Sequence, residues 1–137
     1  MVFGKKKKAK LNNHIDTLIG ANTQIKGDIN FSGGLRVDGQ INGNVIAEEG
    51  EQSTLVLSDA GYIEGKIQVA NIIINGTVTG PIHASKYLEL QEKAEIHGDV
   101  HYGSIEVKLG ASVDGKMIHH DKLQSEKMVT LIPAAPE

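Results

Sequence analysis

His83 and His101 each follow the closing apolar residue of a similar phrase, "VTGPIH" and "IHGDVH". Two imidazoles brought side by side by a repeat could hold a transition metal such as zinc. A closed zinc site needs four ligands, however, the chain has no cysteine, and no third ligand stands at a matching spacing. The pair His119 and His120 falls beyond the last phrase and reads as part of a C-terminal tail. The segment "GYIEGKI" at 61–67 approaches a phosphate-binding loop, G-x-x-x-x-G-K-[ST], but is one residue short and lacks the hydroxyl. No Ser/His/Asp order and no carboxylate pair is tied to a recognisable strand or elbow motif. These residues therefore predict no catalytic, cofactor-binding or metal site, and no enzyme.

The elements that would position these side chains are written six times. "IKGDI" at 25–29 returns as "INGNV" at 41–45, "IEGKI" at 63–67, "VTGPI" at 78–82, "IHGDV" at 96–100 and "VDGKM" at 113–117. The intervals are 16, 22, 15, 18 and 17 residues. A near-fixed period marks a repeat architecture. Within each phrase the order is apolar, polar, Gly, polar, apolar, which is strand periodicity. A further apolar residue (Ile19, Leu57, Leu90, Val107) stands six positions before four of the phrases, with Thr23, Gly61, Ala94 or Ala111 in a small-residue slot between. The other two phrases are entered through "LRVDGQI" and "IIINGTV", which carry an extra glycine at Gly39 and Gly76.

Repeats this short, with no helical stretch, cannot be βαβ units, and regular hairpins would need Asn-Gly-type turns that break the phase. The remaining solution is all-β: a single-stranded parallel β-helix of six coils, roughly 29 Å long at about 4.8 Å per coil. Ile25, Ile41, Ile63, Val78, Ile96 and Val113 then form one internal ladder, and Ile29, Val45, Ile67, Ile82, Val100 and Met117 another. Gly27, Gly43, Gly65, Gly80, Gly98 and Gly115 form a structural column, where the wall bends or two walls come too close for a Cβ. Asp99 above Lys116 would be a pair of stacked opposite charges. Pro81, unable to donate to a ladder, marks its column as a corner or strand end. The 22-residue interval contains "AEEGEQS" at 47–53, read as a loop bulging from one coil. Hexapeptide-repeat acyltransferases are the enzymatic rival with a β-helical fold, but they repeat an aliphatic residue every sixth position, unlike the spacing here. A metal-binding module built on His83 and His101 is the other alternative.

Charge is divided unevenly along the 137 residues. The formal net charge is −3, yet the first ten residues hold five lysines and no acid, so the remainder carries −8. Met1, Val2 and Phe3 precede Lys5, Lys6, Lys7 and Lys8. An apolar terminus beside a lysine block suits insertion into an anionic membrane surface, each lysine contributing about 1 kcal/mol. Many such tails on one polymer would bind by avidity. The acidic body, and the lack of aromatic stacking platforms at 4% aromatic residues, speak against nucleic acid. No run resembles a signal peptide or reaches the ~18 apolar residues of a spanning helix, and the absence of cysteine accords with a reducing cytoplasm.

Neither flank of the repeat reads as a convincing cap. An uncapped solenoid leaves strand edges and core residues open at both ends. Ile19, Ile25 and Ile29 at one end, and Val107, Val113 and Met117 at the other, are therefore expected to meet further copies of the chain. No nucleotide is required, and this reasoning leaves filament polarity open.

With "LRVDGQINGNV", "IIINGTVTGPI", the repeated I-x-G-x-I phrase and short tails about a core of some 100 residues, the chain resembles the bactofilins, bacterial cytoskeletal proteins. The resemblance implies that the β-helix is right-handed and that it polymerises without nucleotide into non-polar filaments. It also implies membrane association through an N-terminal apolar-basic peptide, matched here by residues 1–8. Family members act as scaffolds for cell shape, often recruiting peptidoglycan-remodelling or other envelope proteins, so the expected location is cytoplasmic, on the inner face of the membrane. The expected organisation is a disordered basic tail at 1–15, a β-helical polymerisation domain at 16–118 and a disordered tail at 119–137. The closing "LIPAAPE" matches no partner motif of the family.

Overall fold

The computed structural model describes residues 14–48 and 52–120. The expectations for 1–13 and 121–137, including every membrane-binding residue, lie outside the described residues, as does the middle of the 47–53 loop. The described chain is all-β. Its first coil comprises β1 (Thr17–Ile19), β2 (Gln24–Lys26) and β3 (Ile29–Phe31), and its second β4 (Gly34–Val37), β5 (Gln40–Asn42) and β6 (Val45–Ala47). The third begins with β7 (Thr54–Leu57) and β8 (Tyr62–Glu64). There β9 (Ile67–Ile74) runs unbroken round the corner into the fourth coil, followed by β10 (Thr77–Thr79). In the same way β11 (Ile82–Leu90) joins the fourth coil to the fifth, and after β12 (Glu95–His97) the long β13 (Val100–Val107) joins the fifth to the sixth. Finally, β14 (Ser112–Asp114) and β15 (Met117–His119) complete the sixth coil.

Every strand pairing is parallel, coil upon coil. The three sides of each coil are gathered into a six-stranded sheet, β14-β12-β10-β8-β5-β2, and a nine-stranded sheet that wraps the other two sides. The expected ladders are in register: Ile25 to Val113 through Ile41, Ile63, Val78 and Ile96, and Ile29 to Met117 through Val45, Ile67, Ile82 and Val100. A third runs through Ile19, Val37, Leu57, Ile74, Leu90 and Val107. Its four middle members are fully buried. Alternation along each strand thus fills the lumen with aliphatic side chains, and their burial is the main favourable term.

The corners explain the unequal intervals. In four coils the first corner is a tight turn closed by a backbone bond, Thr23 N to Gly20 O, Gly61 N to Ser58 O, Ala94 N to Gln91 O and Ala111 N to Lys108 O, at 2.9–3.1 Å. The small-residue slot is the residue that closes this turn. The second and fourth coils omit it and bend at Gly39 and Gly76, where a Cβ would strike backbone carbonyls of the coil beneath.

The second corner carries the glycine column. Gly65, Gly80 and Gly98 have φ of 149°, 140° and 150°, which side-chain-bearing residues avoid. A Cβ on any of them would collide with the carbonyl of the previous glycine in the column. The close approach is therefore between successive coils along the axis, rather than between facing walls. The next column completes the corner: Asp28 Oδ1 accepts from Asn44 N (2.8 Å), Asn44 Oδ1 from Lys66 N (2.9 Å) and Asp99 Oδ1 from Lys116 N (3.0 Å). Asp99 thus engages the backbone amide of Lys116 rather than its ammonium, as expected of an acceptor placed beneath an otherwise unpaired N–H. Where Lys66 offers no such acceptor, Pro81 above it has no N–H to satisfy. Ser53, entering the third coil, and Asn71, above it on the fourth, are buried and hold the start of β7, with Asn71 Nδ2 donating to Ser53 O at 3.0 Å.

Gly98→Ala should destabilise the fold by about 2 kcal/mol, combining backbone strain with the collision against Gly80. Gly20→Ala, with open space around its Cβ, should stay within about 0.5 kcal/mol of the parent. Urea unfolding of the two variants measures the difference.

Candidate functional site at the open ends of the coil

Among the described residues, each terminal coil is hydrogen-bonded on one flank only. At the first, β1, β2 and β3 pair with β4, β5 and β6 and with nothing below, and at the last β14 and β15 are equally open above. Among the described residues no helix or loop covers either edge. Unpaired N–H and C=O groups there are a template for further strands.

The structure brings Ile19, Ile25 and Ile29 together on the first coil and Val107, Val113 and Met117 together on the last. Their exposure differs. Ile19 is already buried at 7%, and Ile25, Ile29 and Phe31 are half-buried. This end is tightened by Asp16, whose Oδ2 accepts from Gly34 N at 2.9 Å and whose own N–H donates to Gly34 O at 2.9 Å. At the far end Val107 is 48% exposed, Met117 45% and Leu109 93%. Sequence reasoning missed Leu109 and the exposed Leu18. The signal was available for Leu109: it takes the turn position held by Ala21, Asp59 and Glu92 in other coils, and only there is that position a large apolar residue.

The histidines are closer than spacing alone required. His83 and His101 stack with ring centroids 4.2 Å apart and planes 6° from parallel. A third ring joins them: His120 lies 5.0 Å from His101, and His101 Nδ1 is 2.8 Å from His120 Nε2. The expectation that His119 and His120 belong to a tail beyond the coil is thereby corrected, since His119 ends β15 and His120 N donates to Tyr102 O at 2.8 Å. Spacing could not reveal this, because Ile118 is the in-register partner of His101 and His120 reaches back past it. Burial, then the charges of His101, Lys66 and His120, hold His83 below its ordinary pKa. Among the described residues no three His, Asp or Glu side chains converge as a metal site requires.

Segment 61–67 forms β8 and the glycine corner, with Ile63 and Ile67 fully buried, so it cradles no phosphate. A rung invisible in the sequence joins the fifth and sixth coils, where the Tyr87 hydroxyl lies 2.9 Å from Glu89 Oε1 and 3.0 Å from Glu106 Oε1. Burial and these two carboxylates push the phenol above its ordinary pKa. No helix among the described residues is long and apolar enough to cross a membrane.

A family model described as "Bactofilin: Polymer-forming cytoskeletal" matches residues 17–118, from the first residue of β1 into β15. The chain belongs to the bactofilin family. It is 31% identical over 102 residues to bactofilin BacO of Myxococcus xanthus strain DK1622, covering 74% of this chain and 78% of that one. Against bactofilin BacP of the same organism it is 25% identical over 124 residues, covering 88% of this chain and 50% of BacP. No solved structure matches the chain. This bactofilin is thus a polymer-forming cytoskeletal protein, and the matched region coincides with the coiled body.

At the rim, Val107→Glu should leave stability within about 1 kcal/mol of the parent, because its carboxylate reaches water. Leu90→Glu, one coil inward and fully buried, should cost about 4 kcal/mol or more and unfold the upper coils. Thermal melts followed by circular dichroism distinguish the two.

Proposed function

We propose that this bactofilin is a non-enzymatic scaffold whose copies join end to end through their terminal coils. The observation supporting this reading is the pair of open strand edges, each rimmed by core side chains that run out of neighbours. A second copy placed on such an edge continues the internal ladders and satisfies the free backbone groups in one step. Ile19, Ile25 and Ile29 would meet that copy at one end, and Val107, Val113 and Met117 at the other. The resemblance to the family favours non-polar filaments. Assembly by backbone pairing and apolar burial consumes no nucleotide, in keeping with the lack of a phosphate loop in the sequence.

The basic, apolar-tipped segment 1–8 supports a peripheral location on the inner face of the cytoplasmic membrane. Met1, Val2 and Phe3 would enter the interface while Lys5, Lys6, Lys7 and Lys8 pair with anionic lipid. The filament would then position envelope proteins, with peptidoglycan-remodelling enzymes as the class of partner.

Electron microscopy of the purified chain without nucleotide should show filaments, and Val107→Glu or Met117→Glu should break them into pairs joined through the first coil. Monomers or closed trimers from the unaltered chain would overturn the scaffold reading. Removal of residues 1–8 should leave filaments intact and abolish co-sedimentation with vesicles containing phosphatidylglycerol. Continued pelleting with lipid, beyond self-pelleting, would count against the tail assignment.

A further inference from the structure

We propose that the His83–His101–His120 stack makes the last turn of the coil pH-sensitive, holding β15 on β13 while the imidazoles are neutral and releasing it on acidification. The geometry sets the condition. The 2.8 Å contact between His101 Nδ1 and His120 Nε2 needs one N–H and one lone pair. A first proton leaves that bond intact only on the outer nitrogen of the donating ring, since the accepting ring's outer nitrogen already carries its N–H. A second puts N–H groups on both facing nitrogens, so the bond is lost, and it sets like charges in rings 5.0 Å apart. With His83 stacked 4.2 Å below, every further proton adds to the same column.

Among the described residues no carboxylate forms an ion pair with a ring of the stack. Beneath His83 on β9 lies Gln68, with Lys66 at the preceding corner, and the β15 residue in register with His101 is Ile118. Lys116 stands just before β15, His119 lies against Tyr102, and the carboxylate of Asp99, two residues before His101, is held at the corner by Lys116 N. His97 is the contrasting case, standing outside the stack at 3.3 Å from a Glu95 oxygen and 4.0 Å from an Asp114 oxygen. Folding therefore disfavours protonation of His83, whose pKa burial, and then the charges of His101, Lys66 and His120, hold below its ordinary value. A group depressed in the fold stabilises it above its unfolded pKa of about 6.5 and loses that contribution as pH falls. The strand at stake is weakly held. Among the described residues, β15 is three residues long, pairs only with β13, and is followed by the bond from His120 N to Tyr102 O.

Release of β15 would alter the C-terminal edge that a second copy meets, a consequence that rests on the scaffold reading. Hydrogen exchange by mass spectrometry, corrected for intrinsic rates, tests the stack itself. Protection of residues 117–120 should hold above about pH 7 and fall roughly tenfold by pH 5.5, while the central coils stay protected. His101→Gln and His120→Gln should flatten this dependence, and His97→Gln should preserve it. Unchanged protection at pH 5.5, or the same fall in the two stack variants, overturns the proposal. Sedimentation of the same samples separates the two readings: absence of filaments at every pH refutes the scaffold, whereas a pH-dependent β15 upholds the stack independently.

Discussion

A parallel coil can stack on itself only if its backbone approaches within hydrogen-bonding distance on every side, corners included. The sides meet this condition through ordinary strand pairing. Corners are harder, because a Cβ there points into the carbonyl of the coil beneath. The glycine column removes that Cβ at one corner, and tight turns or the shorter Gly39 and Gly76 bends solve the next. Everything else depends on this fit: ladders come into register only because the corners repeat, and the lumen is dry only because the ladders are in register.

Legibility followed the same division. Gly27, Gly43, Gly65, Gly80, Gly98 and Gly115 recur, so their column, the two flanking ladders and the parallel stacking could all be read from spacing. Pro81 was placed at a corner for the same reason. Features that arise between coils without a repeated residue type were not legible. Asp99 capping the Lys116 amide looked like a charge pair because the sequence shows side chains and hides backbone donors. His120 joins His101 from outside the register. The Tyr87, Glu89 and Glu106 rung needs a tyrosine that leans along its own strand and across to the next coil.

The two ends, though both open, are chemically unlike. The first coil is drawn in by Asp16 against Gly34, whereas the last leaves Val107, Leu109 and Met117 in water. The ladder residues of an assembling rod are therefore better covered at its first coil than at its last. The latter is also the end where the imidazole column stops.

Because the interstrand hydrogen bonds lie along the rod, tension applied lengthwise loads all the bonds between two coils together instead of peeling them singly. Mechanical strength then belongs to each interface and does not grow with the number of coils. The steps from Lys66 to Pro81 and from Pro81 to Asp99 lack the Asx-to-amide bond found at the other three, and there the long pairings of β9, β11 and β13 carry the load instead.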